Sequence, residues 1–582
     1  MAWRDPAFEG EETRLEPGPP PSPQVPVVRV VDPEGAATTA LAVEARDGHV
    51  HVFLPPTLRL EDYLDLLRLV EVGVRRVGCP VVLEGYGPPA DPRLAQLVVT
   101  PDPGVIEVNV PPSGSWAELR DLTTTLAEQA RLARLATEKF DLDGLHTGTG
   151  GGSHLTLGGP SPADSPLLRR PDLLASLIRY WQRHPALSYV FAGRFVGPTS
   201  QAPRFDEGRP EAVYEMEIAL AELARLTAEA ESGPGGGPAP WLVDRALRHL
   251  LTDLTGNTHR AEFCIDKLYS PDSGRGRLGL LELRGFEMPP HPQLALVQAL
   301  LVRALVAMFW ERPCTDPLIR WGTRLHDDLL LPAGAAADLA EVAADLRAHG
   351  IAFETAWFDP FLEFRFPRLG ATRLPGPGGR AIELELRQAI EPWHVLGEEA
   401  TGGGTARYVD SSVERVQVSV RGIDPHRHLV TCQGVPVPLT APATDAGAAD
   451  AAAAGDRLHG GVRYRAWQPW SALHPSIGVH APLTVEVVDT RNGVSLGGVT
   501  YHVAHPGGRA YDTPPVNAAE AEARRAARFA ALGHTTGRVD VGALREAAAR
   551  AAAPEYPRTL DLRRVPPRRA LPSAPAGGSP AP

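Results

Sequence analysis

Lysine is nearly absent from this chain: Lys139 and Lys267 are the only two, and arginine carries almost all of the positive charge. A Walker-type phosphate loop needs Gly-Lys followed by Ser or Thr, and neither lysine stands in one, so that mode of nucleotide binding is excluded. Cysteine is scarce as well. Cys79, Cys264, Cys314 and Cys432 lie far apart with no C-x-x-C pair, which argues against a zinc ribbon or a disulfide framework and fits a reducing cytoplasm. A basic stripe is missing too. With a net charge of -12 and a pI near 5.9, the chain lacks what a phosphate-backbone binder requires, and no nucleic acid partner is expected. The opening residues are acidic and proline-rich, and no run approaches the ~18 apolar residues of a membrane span. Neither secretion nor membrane insertion is expected, and the predicted location is cytoplasmic.

What is present is enough apolar residue for real cores: 43% of 582 residues are hydrophobic, a size that suits two or three domains. Residues 1–34 read as a disordered leader and residues 545–582 as a mostly disordered tail. After the leader, "TTALAVEARDGHVHVFLPP" predicts a hairpin turning at Asp47-Gly48. "RLEDYLDLLRLVEVGVRRVG" has helical spacing, and "LAQLVVTPDPGVIEVNVPP" returns to strand, turn and strand. "SWAE" opens the next helix as a capping box, with Ser115 as the cap and Glu118 reaching back. Further helices are expected near 166–184, 211–231, 240–254, 291–311 and 334–348. Strands and helices mix without strict alternation, so the fold class is α+β. From 405 to 544 the texture changes to short strands at sandwich-like spacing ("VERVQVSV", "HLVTC", "GVRYRAW", "LTVEVVD", "GVTYHVAH") with loop-like "ATGGGTARYVDSS" and one helix from about 516.

Strand alternation gathers polar residues on one face. Glu107 and Asn109 stand opposite Ile106 and Val108; Arg260, Glu262, Cys264 and Asp266 oppose Ala261, Phe263 and Ile265; Glu282 and Arg284 oppose Leu281 and Leu283. Glu383, Glu385 and Arg387, and Glu363 and Arg365 in "FLEFRF", follow the same pattern, as do His154 and Thr156. A solvated outer face accounts for any one of these strands. Taken together, recurrent Glu/Arg pairs beside "HTGTGGGSHLTLGG" point to a site. Oxygen ligands with one imidazole suit Mg²⁺ or Mn²⁺ better than a thiolate centre. Arginines there can neutralise phosphoryl charge, and glycine-rich backbone can approach phosphate oxygens. Cys264 reads as a buried structural thiol, Lys139 as a phosphate contact or a plain surface lysine, and His502, His505, Trp467 and Trp470 as structural.

The segments "HTGTGGGSHLTLGG", "GPTSQAPRFDE", "LELRGFEMPPHPQLALVQALLVRALVAMFW", "EPWHVLGEE", "RYVDSSVERVQV", "YRAWQPWSALHPSIGVHAPL" and "YHVAHPGGRAYDTPPVNAAEAEARR" together resemble the amidoligase family, often found as the C-terminal module of large bacterial transglutaminase-like proteins. The resemblance runs from about residue 35 to 564. It implies remote similarity to glutamine synthetase and glutamate-cysteine ligase: a curved antiparallel sheet with helices on its outer side, making residues 35–404 the catalytic domain and 405–544 a smaller β-rich domain. By the same resemblance Glu107, His154, Glu282 and Glu262 would hold the metal, and Arg284, Arg260 and Glu287 would act on the reacting groups. His146, Gly150, Gly151, Gly152, Lys139 and Arg320 would face the nucleotide. The implied reaction joins a small-molecule or peptide carboxylate to an amine with ATP and Mg²⁺ or Mn²⁺, through an acyl phosphate. Partner proteins of transglutaminase-like or ATP-grasp type are also implied. Ser153 stands where the family commonly has asparagine, and the Cys-His-Asp transglutaminase nucleophile is absent, so that activity does not carry over. Two other readings stay open: a metal-dependent hydrolase using the same carboxylates, and a non-catalytic peptide-binding scaffold.

Overall fold

The structure, a computed structural model, describes residues 40–565 apart from 92, 95, 103, 199, 210, 233–238, 402–403, 442–456, 470–471, 504–509 and 534. The expected leader therefore lies outside the described residues, as do His505 and Trp470. The described chain mixes helices and sheets with no closed barrel, an α+β fold. It divides into two compact units, residues 1–100 with 108–112, and residues 101–107 with 113–582.

In the first unit the hairpin Ala42–Arg46/His49–Leu54 closes at the foreseen dipeptide. Asp47 (φ 52°) and Gly48 (φ 78°) are both left-handed, which matches the twist of the flanking strands. Helix Leu60–Val77 then crosses over to strand Val81–Gly85, which pairs in parallel with the second hairpin strand.

The second unit holds two cores. Helices Pro171–Arg183, Ala212–Ser232, Pro292–Glu311 and Pro332–Ala348 surround a three-stranded antiparallel sheet, Leu155–Leu157, Leu281–Leu283 and Phe263–Cys264, with Leu281–Leu283 central. Leu177, Trp181, Leu281, Leu283, Phe286, Leu301, Leu305 and Val342 fill this core. Helix Pro292–Glu311 corrects one expectation, because by length and composition it is apolar enough to cross a membrane. Here Leu301, Val302, Leu305, Met308 and Phe309 are buried inside the protein, so its apolarity is that of a core helix.

The second core lies between two five-stranded sheets, and all five strands foreseen in the β-rich region form. One sheet runs Arg368–Pro375, Ala381–Ala389, Val413–Arg421, Arg457–Arg465 and Thr559–Asp561; the other contains His428–Cys432, Leu483–Asp489 and Val494–Tyr501. The expected boundary at 404 thus cuts through one sheet, since strands on both sides of it pair directly. "ATGGGTARYVDSS", read as a loop, contributes to the strands Val395–Thr401 and Gly404–Val409. The stretch after 545, read as tail, continues helix Val541–Ala551 and adds strand Thr559–Asp561. Its alanines resemble low complexity, but Ala551, Leu560 and Leu562 are buried in the second core.

The described strands that carry the expected polar face fall in separate hydrogen-bonded sheets. Glu107 lies on the two-stranded Val98–Asp102/Val105–Asn109 sheet, Glu282 on the three-stranded one, and Glu383 to Arg387 on a five-stranded one. Glu363 and Arg365 are helical, in Asp359–Arg365. Phe358, Phe361 and Phe366 are buried there, and Phe358 and Phe361 sit one helical turn apart, a period that a short apolar run cannot distinguish from alternation.

Candidate functional site

Glu282 is the centre of the best-formed polar cluster. Leu281 and Leu283 turn into the core at 0% and 1% exposure, so the residue between them faces the opposite side of the sheet. In register it lies across from Thr156 on one neighbouring strand and Cys264 on the other. Its carboxylate receives three partners: His154 Nδ1 at 3.0 Å, Arg284 Nη1 at 2.9 Å and Lys267 Nζ at 3.2 Å. The His154 hydrogen bond, then the Arg284 and Lys267 charges, hold the Glu282 carboxyl down to about 2 despite its burial.

The glycine run has three distinct reasons to be glycine. A Cβ on Gly152 would stand 2.3 Å from His154 Nε2, and one on Gly148 would stand 2.3 Å from Glu287 Oε1. Gly150 has φ 92°, a conformation that L side chains rarely adopt. The loop is not wholly open to a ligand. Ser153 N donates to Phe286 O at 2.9 Å and Met288 N to Gly151 O at 3.0 Å, extending the ladder of the Leu155–Leu157 and Leu281–Leu283 strands.

Around this loop sit Glu287, Arg365, Lys139 and His146. Arg365 Nη2 lies 3.1 Å from Glu287 Oε2. Burial pushes the Glu287 carboxyl up, against the opposing charges of Arg365 and Lys139. Lys139 is in register with Thr147 across the small Glu138–Phe140/His146–Gly148 sheet. His146 Nε2 lies 2.7 Å from Glu138 Oε2, and the ring is stacked on Phe140, with the Phe364 ring edge-on. Arg284 Nε, Arg365 Nε and the Thr147 hydroxyl are buried without a hydrogen-bond partner, which is unusual for such strong donors.

The loop stem is held from the far end of the chain. Helix Ala518–Ala526, capped by Asn517, presents Arg524, whose Nη1 donates to Leu142 O at 2.8 Å. Arg525 donates to Gly144 O, and Arg528 Nη2 donates to Asp143 O at 3.1 Å. Gly144 (φ 84°) meets this helix so closely that a Cβ would lie 2.2 Å from Ala521 O.

The remaining expected residues stand elsewhere. Glu262 is buried beside Trp181, whose Nε1 donates to it at 2.8 Å, and not in the Glu282 cluster. Burial raises its carboxyl to about 7, with the Arg204 charge opposing. Arg260 faces Asp253 at 3.8 Å, and Arg320 is exposed. Glu107 is exposed on its hairpin, two residues from Val105, whose Cγ1 lies 3.3 Å from where a Gly151 Cβ would be. Among the described residues, the groups of three or more donors close enough for one ion are His259–Cys264–Asp266 and His184–Asp338–Glu341; none of the four expected metal ligands belongs to either. Lys267 and the Arg524–Arg528 clamp were not foreseen. With only two lysines in the chain, the position of Lys267 three residues beyond Cys264 was the available signal.

In this α+β protein a buried carboxylate gathers imidazole, ammonium and guanidinium beside a glycine loop. The chain belongs to the amidoligase family: the family model described as "Putative amidoligase enzyme" matches residues 12–563. By that description it is a ligase-type enzyme. No curated protein and no solved structure matches it significantly.

Proposed function

We propose that this protein is an ATP- and Mg²⁺-dependent carboxylate–amine ligase acting on an amino acid or peptide through an acyl phosphate. The observation that carries the reading is the Glu282 cluster: one carboxylate binding His154, Lys267 and Arg284, flanked by buried arginine nitrogens that lack partners. Those donors fit phosphate oxygens in number and charge. Glu282 and His154 would hold the cation, with Glu107 as the expected third ligand and Glu262, from its separate pocket, as a fourth only after rearrangement. Mg²⁺ commonly takes one or two carboxylates from protein and completes its shell with waters and phosphates. Bound ATP supplies the phosphoryl group that activates the substrate carboxylate.

The chain's own residues divide the remaining work. Arg284 and Lys267 neutralise charge on the transferring group, with Arg260 and Arg320 as outlying candidates. Gly150, Gly151 and Gly152 allow close backbone approach, with Lys139 and His146 at the loop's edge. Glu287, whose carboxyl is raised by burial, would take a proton from the incoming ammonium. A glutamine-synthetase-like arrangement, a cytoplasmic setting and transglutaminase-like or ATP-grasp partners belong to the same reading. The test is release of ADP or phosphate by purified protein given ATP, Mg²⁺ and pools of amino acids or peptides. Release is expected with at least one pool and lost in Arg284→Ala; folded protein silent with every pool contradicts the proposal, and turnover without ATP favours a hydrolase.

A further inference from the structure

We infer that His259, Cys264 and Asp266 form a separate site for a divalent ion of zinc type, one that the ligase reading does not use. One donor atom from each lies within 4.8 Å of the others. His259 Nδ1 stands 4.0 Å from Cys264 Sγ and 3.6 Å from Asp266 Oδ2. Ligands about 2.0–2.3 Å from a tetrahedral zinc sit about 3.5 Å from one another, so the His259–Asp266 pair, at 3.6 Å, already stands near that spacing and the His259–Cys264 pair, at 4.0 Å, is close to it. The ligands fall within eight residues on a turn, a strand and the turn after it, and a short chelate costs little loop entropy.

The surroundings are those of a supported site. Asp266 offers Oδ2 to His259 while its Oδ1 is fixed by Arg248 at 3.0 Å, and Arg248 is itself held by Asp244. Such outer partners orient metal-binding carboxylates. His259 N donates to Asn257 Oδ1 at 2.9 Å, which sets the turn. Cys264 is buried at 1%, and His259 is exposed, giving an ion a path in and leaving a fourth position for water. Thiolate, imidazole and carboxylate together select zinc or cobalt over magnesium. The site is distinct from the neighbouring cluster: Cys264 is in register with Glu282, but the three grouped donors include neither Glu282 nor His154. The other three-donor group is a weaker candidate, because Asp338 has one oxygen on His184 Nδ1 at 2.7 Å and the other on the Ala186 amide at 2.8 Å.

The protein, stripped with chelator and titrated with Co²⁺ alone, should develop a thiolate-to-cobalt charge-transfer band in the near ultraviolet that saturates at one equivalent. Cys264→Ser should abolish the band. His259→Ala, on an exposed turn, should keep the fold by circular dichroism and weaken Co²⁺ and Zn²⁺ binding at least about tenfold. Glu282→Gln should leave the band in place, whatever it does to nucleotide binding. Absence of the band in wild type, its persistence in Cys264→Ser, unchanged affinity in His259→Ala, or its loss in Glu282→Gln would each overturn the assignment.

Discussion

Glu282 and Glu262 come from adjoining strand segments, linked where Arg284 N donates to Glu262 O at 2.9 Å, yet they occupy opposite electrostatic worlds. Around Glu282 an imidazole, an ammonium and a guanidinium converge and hold the carboxyl down to about 2. Around Glu262 the core closes in, and burial outweighs the opposing Arg204 charge and the Trp181 hydrogen bond and lifts the carboxyl to about 7. Both read from sequence as the same thing, an acidic residue on the polar side of a short strand. Strand alternation fixes which way a side chain points and leaves open what it meets there. What it meets decides whether a carboxylate anchors cations or sits as a destabilising acid.

Glu282→Ala removes the counter-ion of a largely buried guanidinium and should destabilise the fold by about 3 kcal/mol or more in urea unfolding; an unchanged midpoint would mean the three partners are not held there. For Glu262 the sign is opposite. Its folded carboxyl titrates near 7 against an ordinary 4.5, so the fold favours the neutral acid, and stability falls as pH rises from about 4.5 through 7. Glu262→Gln keeps the acceptor for Trp181 and should be more stable than wild type by about 3 kcal/mol at pH 8, with the gain vanishing below pH 4.5. Glu282 runs the other way: its contribution is complete above about 4.5 and is lost as pH falls towards 2. A melting-temperature series across pH on both variants separates the two behaviours.

Smaller effects sharpen the picture. Gly152→Ala drives a methyl into the His154 ring, at 2.3 Å from Nε2, and should cost about 1–3 kcal/mol while weakening whatever binds at Glu282. Ser115→Ala, remote from both carboxylates in the chain, removes the cap that accepts from Glu118 N at 3.2 Å. It should cost about 1 kcal/mol in thermal unfolding and leave ligand binding unchanged.

Local rules made much of the fold legible. The Asp47-Gly48 hairpin, the Ser115 cap, the long helices and all five strands after 405 carry strong short-range signals. The capping box differs only in detail: Glu118 accepts from Gly114 N at 2.7 Å. The failures come from long-range pairing. Nothing near residue 404 announces that Ala381–Ala389 pairs with Val413–Arg421, or that Thr559–Asp561 closes the same sheet in parallel. In the site, His154 with Glu282 followed from the glycine–histidine strand and the Glu-x-Arg strand. Lys267 and the arginines of helix Ala518–Ala526 did not, because their role depends on contacts reaching across the fold, some more than 380 residues apart in sequence.

We propose that the Glu282 cluster, and not the Glu262 pocket, receives the nucleotide. Calorimetric titration of Mn²⁺ with a non-hydrolysable ATP analogue into wild type, Arg284→Ala and Glu262→Gln tests it without knowledge of the substrates. The account predicts binding to wild type and Glu262→Gln alike, and at least a tenfold loss in Arg284→Ala. Equal affinity in Arg284→Ala, or loss confined to Glu262→Gln, would contradict it.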